Sequence, residues 1–189
     1  MDTCFDELPL ENLPACVNNE VQAGISEVDV NYAIHPQITT FPMPLNFGDP
    51  GYTYETAVTV TEDIVFQAGK GFGTIAIMPD SGEVTVDLVG NKGNKKTKSS
   101  FPFAVSSNNK KVLGFMRTHK NTPMIFCVRE RDGQKRLIGD AFNPAYIVEG
   151  KATTGKGGED DKVVNFTFES YCVPIVYSGA VQEPAAVTP

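Results

Sequence analysis

The chain has no tryptophan, only two histidines and only four cysteines in 189 residues. Each shortage narrows the function. Without Trp, a sugar-binding site lacks the large aromatic face that glycan recognition favours, so that reading is disfavoured. His35 and His119 have no nearby partner residue in the sequence, which argues against a histidine-based metal centre. Cys4, Cys16, Cys127 and Cys172 form no C-x-x-C pair, which argues against a zinc knuckle or a thioredoxin-type site. Cys127 falls in a predicted buried strand, where a thiol behaves as a small hydrophobe. Cys4 and Cys16 are spaced to meet across a loop, with pairing left open.

Basic charge is also short. Lys and Arg number 16 against 23 acids, giving a net charge of -7 and a pI of about 4.8. Phosphate binding needs a surplus of Lys and Arg, so general nucleic-acid affinity is disfavoured. An acidic balance suits plain solubility, and it equally suits a surface that DNA must pass without sticking. No apolar run approaches the ~20 residues that span a bilayer. Met1-Asp2-Thr3-Cys4-Phe5-Asp6-Glu7 carries acids where a secretory signal carries Lys or Arg, so no Sec route and reduced thiols are expected. With 41% hydrophobic and 21% charged residues, the composition is that of an ordinary globular chain, of a length that suits one domain.

Strand patterns are plentiful. Val28, Val30, Tyr32 and Ile34 alternate with Asp29, Asn31 and Ala33, the signature of a half-buried strand. Alternation returns in Ala57–Phe66, at Ile75 and Ile77, at Val84, Val86 and Leu88, at Ala145–Val148, and at Val164, Phe166 and Phe168. Phe101 and Phe103 flank Pro102 in a short segment. Met124–Val128 is a continuous apolar run. Arg131-Asp132-Gly133 then turns the chain toward Leu137-Ile138. One helix is predicted over about 106–117, with Val112, Leu113, Phe115 and Met116 as its apolar set. Ser106, Ser107 and Asn108 offer oxygens to cap its start. The fold expected is mainly β, a β-sandwich or barrel of about eight strands with one short flanking helix and long inter-strand loops. An N-terminal arm covers 1–20, the domain 21–176 and a C-terminal tail 177–189.

No catalytic constellation emerges. Gly69-Lys70-Gly71-Phe72-Gly73 joins two strands and opens no helix, so it reads as a hairpin and not as a phosphate loop. There is no G-x-S-x-G elbow. A small hydrolase using paired carboxylates is the weakest of the readings, and no catalytic, cofactor or metal residue is assigned. Contact residues are easier to nominate. Lys92, Lys95, Lys96 and Lys98 form a basic cluster in an acidic chain. Its counterparts are Glu159, Asp160 and Asp161, and the N-terminal Asp2, Asp6, Glu7 and Glu11. Opposite charges on separate loops steer copies of one protein together. The competing readings are a solvated loop and a nucleic-acid contact, the latter lacking an aromatic stacking platform. Residues 35–56, with four prolines, read as a long loop in which Phe41, Phe47, Tyr52 and Tyr54 form a contact patch or fold back on the core.

The order of these elements carries a resemblance. A strand, a long loop, further strands and a short helix precede Asn121-Thr122-Pro123 and the run Phe126-Cys127-Val128-Arg129-Glu130-Arg131-Asp132-Gly133. Leu137-Ile138-Gly139, a Thr153-Thr154-Gly155 loop and the alternating Phe166 and Phe168 follow. Over roughly residues 20–176, this resembles virion structural proteins of tailed phages infecting Bacteroidetes, and in architecture the phage tail tube protein. The resemblance implies a β-sandwich or barrel subunit that forms hexameric rings around a DNA channel and has no catalytic residues. It implies stacking of rings through a long loop, here 35–56, and through terminal arms, here 1–20 and 177–189. Its expected partners are further copies of the chain and other virion proteins, with DNA only in passing and no membrane; its place is the virion, assembled in the host cytoplasm. The Lys92–Lys98 cluster has no counterpart in that pattern. A neck-ring, head-decoration or non-catalytic binding role stays open beside it.

Overall fold

A computed structural model describes residues 23–157 and 161–185. The expected arm over 1–20, with Cys4 and Cys16, lies outside the described residues, as do Glu159, Asp160 and the last four residues. Within them the protein is mainly β, with twelve strands and one α-helix. The chain opens with β1 (Ile25–Ile34), a 3-10 turn (His35–Gln37) and β2 (Ile38–Thr40). An irregular loop then leads to β3 (Thr59–Val60), β4 (Val65–Phe66) and β5 (Gly73–Ile75). Next come β6 (Thr85–Val89), β7 (Lys96–Val105) and the helix α1 (Lys110–His119). The chain closes with β8 (Met124–Glu130), β9 (Lys135–Ile138), β10 (Tyr146–Ala152), β11 (Val164–Ser170) and β12 (Ile175–Tyr177).

These strands make two main layers. A six-stranded sheet has the order β3-β12-β9-β8-β1-β5, and a four-stranded sheet the order β10-β11-β7-β6. The pair β2-β4 forms a small third sheet. The main core lies between the two large sheets, where Val30, Met124, Phe126 and Val128 meet Phe101, Phe103, Phe166 and Phe168. Phe126 sits 4.4 Å from the Phe168 ring and 5.5 Å from the Phe101 ring, centroid to centroid. The second core covers the other face of the six-stranded sheet and holds Ala33, Ile64, Phe66, Phe72, Ile125, Cys127, Leu137 and Tyr177.

The two cores explain the run Met124–Val128. Even residues face one core and odd residues the other, so β8 is apolar at every position, as a strand covered on both faces must be. The same arrangement corrects the expectation for β1. That strand is not half-buried: Val30 enters the main core and Ala33, on the face expected to be wet, enters the second.

The helix begins later than predicted. Asn109, not one of the three residues before it, is the N-cap, and its side-chain oxygen accepts the N–H groups of Lys111 at 2.9 Å and Val112 at 3.0 Å. Val112, Phe115 and Met116 pack against the main core with helical spacing, while Leu113 is exposed. The Asp-Gly turn is as expected, with Gly133 at φ 93° and Gln134 N–H bonded to Asp132.

Four further differences raise the strand count above the expected eight. Ala57–Phe66 is two short strands in two different sheets. The long-loop segment contains β2. Phe101-Pro102-Phe103 lies inside the ten-residue β7. Tyr177, the first residue of the expected tail, ends β12, and the chain after it keeps contact with the body as far as Gln182. Gln182 accepts the Phe72 N–H at 2.8 Å, Ala180 N–H donates to Asp63 at 2.7 Å, and Val181 packs on the second core.

Candidate functional site

Two structures project from one end of the sandwich. The first is the β6-β7 hairpin. Its ladder runs from Thr85 opposite Ser100 to Val89 opposite Lys96. Gly90 at φ 103° and Gly93 at φ 80° turn the chain, and a side chain on Gly90 would meet the Asn94 carbonyl at 2.6 Å. Val84, Val86 and Leu88 share the face that Ser99 and Phe101 present to the main core, because the side-chain period of a strand is two. Val84 reaches that core, but the hairpin then runs past it. Val86 is 49% exposed and Leu88 67% exposed.

The lysines sit on this overhang. Lys92 and Lys95 are exposed in its turn, and Lys96 is exposed at the start of β7. The cluster is therefore not confined to a loop. Lys98 lies on the outer face of β7 opposite Asp87 and is bound to Glu169 at 2.7 Å. That bond, ahead of the opposing effect of desolvation, raises the Lys98 ammonium above its ordinary value. Three lysines remain at the tip for another contact.

The second projection is the loop between β2 and β3. It is ordered by its own hydrogen bonds, as compact functional loops are. Leu45 N–H to Thr56 carbonyl, at 3.2 Å, closes its base. Asn46 N–H donates to the Asp49 carboxylate at 2.7 Å. Thr53 and Thr56 exchange N–H to Oγ bonds at 2.8 and 3.1 Å, the reciprocal pattern of a capping box. Phe41 is spent on the second core. Phe47 packs edge-on against Tyr52 at 5.7 Å, and Met43, Leu45, Phe47 and Tyr54 stay exposed.

Hairpin and loop share an end but not a sheet. Ser99 pairs with Ser170, so the hairpin rises where β11 finishes. Met43 and Leu45 line a cleft of about 130 Å³ with Cys172 and Val173, just beyond that finish. The loop leads into β3, an edge of the six-stranded sheet, while the hairpin belongs to the four-stranded sheet.

The expected acidic counterpart is elsewhere. Asp161 precedes β11, whose first residue Val164 pairs with Val105 at the far end of β7 from the lysines.

The cleft beside the loop holds polar groups that invite a chemical reading. Asp140 is buried and accepts the Phe142 and Asn143 N–H groups, both at 2.7 Å. His35 Nε2 donates to the Ala141 carbonyl at 3.0 Å. Cys172 Sγ lies 3.2 Å from Ser170 Oγ, and burial pushes its thiol above the ordinary value. A thiol held protonated is a poor nucleophile, and each of the other groups is engaged with backbone. The Ser170 hydroxyl donates to the Asn143 carbonyl at 2.5 Å, so the Asp140–Asn143 turn is fastened to β11 by Ser170 and to the end of β1 by His35. Among the described residues no three His, Cys, Asp or Glu side chains are grouped to hold a metal, and no helix is long and apolar enough to cross a membrane.

Sequence patterning missed the apolar part of this end. It placed Val86 and Leu88 on a strand face without sign of where cover ends, and it gave no weight to Met43, Leu45, Phe142 or Val173, all exposed. Only the position of Val86 and Leu88 next to a Gly- and Lys-rich turn hints that the hairpin leaves the core. No protein-family model, curated protein or solved structure matches the chain.

Proposed function

We propose that this protein is a self-assembling structural subunit and not an enzyme, serving as a virion component of the tail-tube kind that its sequence resembles. The observation that carries the reading is the β6-β7 overhang, whose core-side residues Val86 and Leu88 are left in water. A hairpin that continues its apolar face past its own core suits a surface completed by another molecule. The ordered loop with Met43, Leu45 and Phe47 is a second such surface. Both stand on a rigid two-core body, which favours defined geometry in an assembly.

In this reading the partner is first another copy of the chain, then other virion proteins. A ring of subunits encloses a channel through which DNA passes, and the net charge of -7 keeps nucleic acid from adhering. Negative-stain electron microscopy of purified protein, with light scattering for mass, tests it. Rings or hollow tubes are the expected result. A uniform monomer near 20.5 kDa across a wide concentration range would overturn self-assembly and leave a decoration or neck role, to be tested by binding to assembled particles.

A further inference from the structure

We infer that the lysine-tipped β6-β7 hairpin of one copy docks on the β2-β3 loop of the next copy, head to tail. The inference rests on the self-assembly reading and names the two surfaces that would meet.

Charge selects the pair. Residues 90–98 contain four lysines and no acid. Residues 41–63 contain Asp49, Glu55, Glu62 and Asp63 and neither Lys nor Arg. The loop around Asp161 is a poorer complement, since Lys156 and Lys162 flank its acids. Within the acidic stretch Asp63 already accepts the Ala180 N–H and Asp49 the Asn46 N–H, so Glu55 and Glu62 are the exposed acids to meet a lysine. On the hairpin Lys98 is held by Glu169, leaving Lys92, Lys95 and Lys96.

Apolar surface matches in the same places. Val86 and Leu88 lie beneath the lysines, and Met43, Leu45 and Phe47 lie beside the acids. Burying such side chains supplies the affinity, while the charges fix the register and exclude other pairings.

The form of the contact follows from the surfaces themselves, which are two different patches of one chain, one on the hairpin and one on the loop. Two different patches meeting is a heterologous contact, which propagates from copy to copy and closes as a ring when the rotation allows. A two-fold dimer would instead bring like patches together.

Charge exchange tests the pairing. Light scattering and negative-stain imaging compare the full chain with Lys95→Glu/Lys96→Glu, with Glu55→Lys/Glu62→Lys, and with all four changes together. Each pair alone is expected to shift the assembly midpoint at least tenfold toward higher protein concentration. An equimolar mixture of the two double variants should assemble again as alternating copies, since the native loop of one meets the native hairpin of the other and the two reversed surfaces meet in turn, and the fourfold variant should assemble on its own. Thermal unfolding of each variant, expected to match the wild type, shows that folding is intact. Loss in either pair without recovery in the fourfold variant would overturn this contact while leaving self-assembly in place. Unchanged assembly in both pairs would overturn it as well. A wild-type chain that never assembles would overturn both this contact and the self-assembly reading.

Discussion

The hydroxyl of Tyr177 accepts the backbone N–H of Ile64 at 3.2 Å, a bond between residues 113 positions apart. It also donates to the Ala180 carbonyl at 2.9 Å. One buried side chain thus ties the β3-β4 turn to the segment that follows β12. Burial is the first cause of the raised Tyr177 phenol, so this hydroxyl stays protonated and able to donate. Tyr177→Phe keeps the ring and removes both bonds, leaving the Ile64 N–H without its partner. The expected loss is about 1–3 kcal/mol, read as a lower denaturant midpoint with an unchanged slope.

The main core gives a larger effect. Phe126 is fully buried against Phe101, Phe103 and Phe168. Phe126→Ala removes the ring from the centre of that cluster and should cost about 3–5 kcal/mol by urea unfolding. Leu88→Ala on the overhang removes comparable chemistry from an exposed site and should leave the unfolding midpoint nearly unchanged.

His119 supplies a pH dependence. Its ring packs 4.8 Å from Phe115 and 6.4 Å from Tyr32, and burial lowers its pKa below the ordinary value of about 6.5. The unfolded chain therefore binds this proton more tightly than the folded one. Its contribution to stability is complete above the unfolded value and declines as pH falls toward the folded value. His119→Gln should flatten the loss of stability between about pH 7 and pH 5. Equal slopes in variant and wild type would remove the histidine as its source.

The thiols offer a readout that separates folded from unfolded chain. Cys127 and Cys172 are buried. In a Cys4→Ser/Cys16→Ser background, a thiol reagent should label neither residue in native buffer at pH 8 and both in denaturant. Fast native labelling of Cys172 would contradict its burial.

Some of this fold is written plainly in the residues. Alternation in Val164–Phe168 and the Asp132-Gly133 turn reports local geometry, and local geometry survives folding. Other parts depend on neighbours that sequence does not reveal. Pro102 argues against an inner strand, yet it sits in β7 between β11 and β6. Its carbonyl accepts the Glu83 N–H, so its missing donor faces a stretch before β6 begins, where no ladder bond is lost. Asn109 caps the helix because Ser106–Asn108 are taken up by the exit from β7, and three equivalent oxygens in a row could not reveal that. The lysines at 92–98 were visible, but whether the hairpin beneath them is covered depends on the length of the opposite sheet. The acidic stretch 41–63 drew attention through its aromatic residues, and its lack of any Lys or Arg went unread.

Ile125 and Phe126 are consecutive, and they belong to different cores. A strand gripped in this way cannot slide or twist without opening a void on one side or the other. The six-stranded sheet is therefore a stiff plate, and the hairpin of the four-stranded sheet and the β2-β3 loop project from the body built on it. If many copies are joined into a long object, bending and stretching will be absorbed at the joints between subunits, and the shape of each subunit will stay the same from a straight assembly to a curved one.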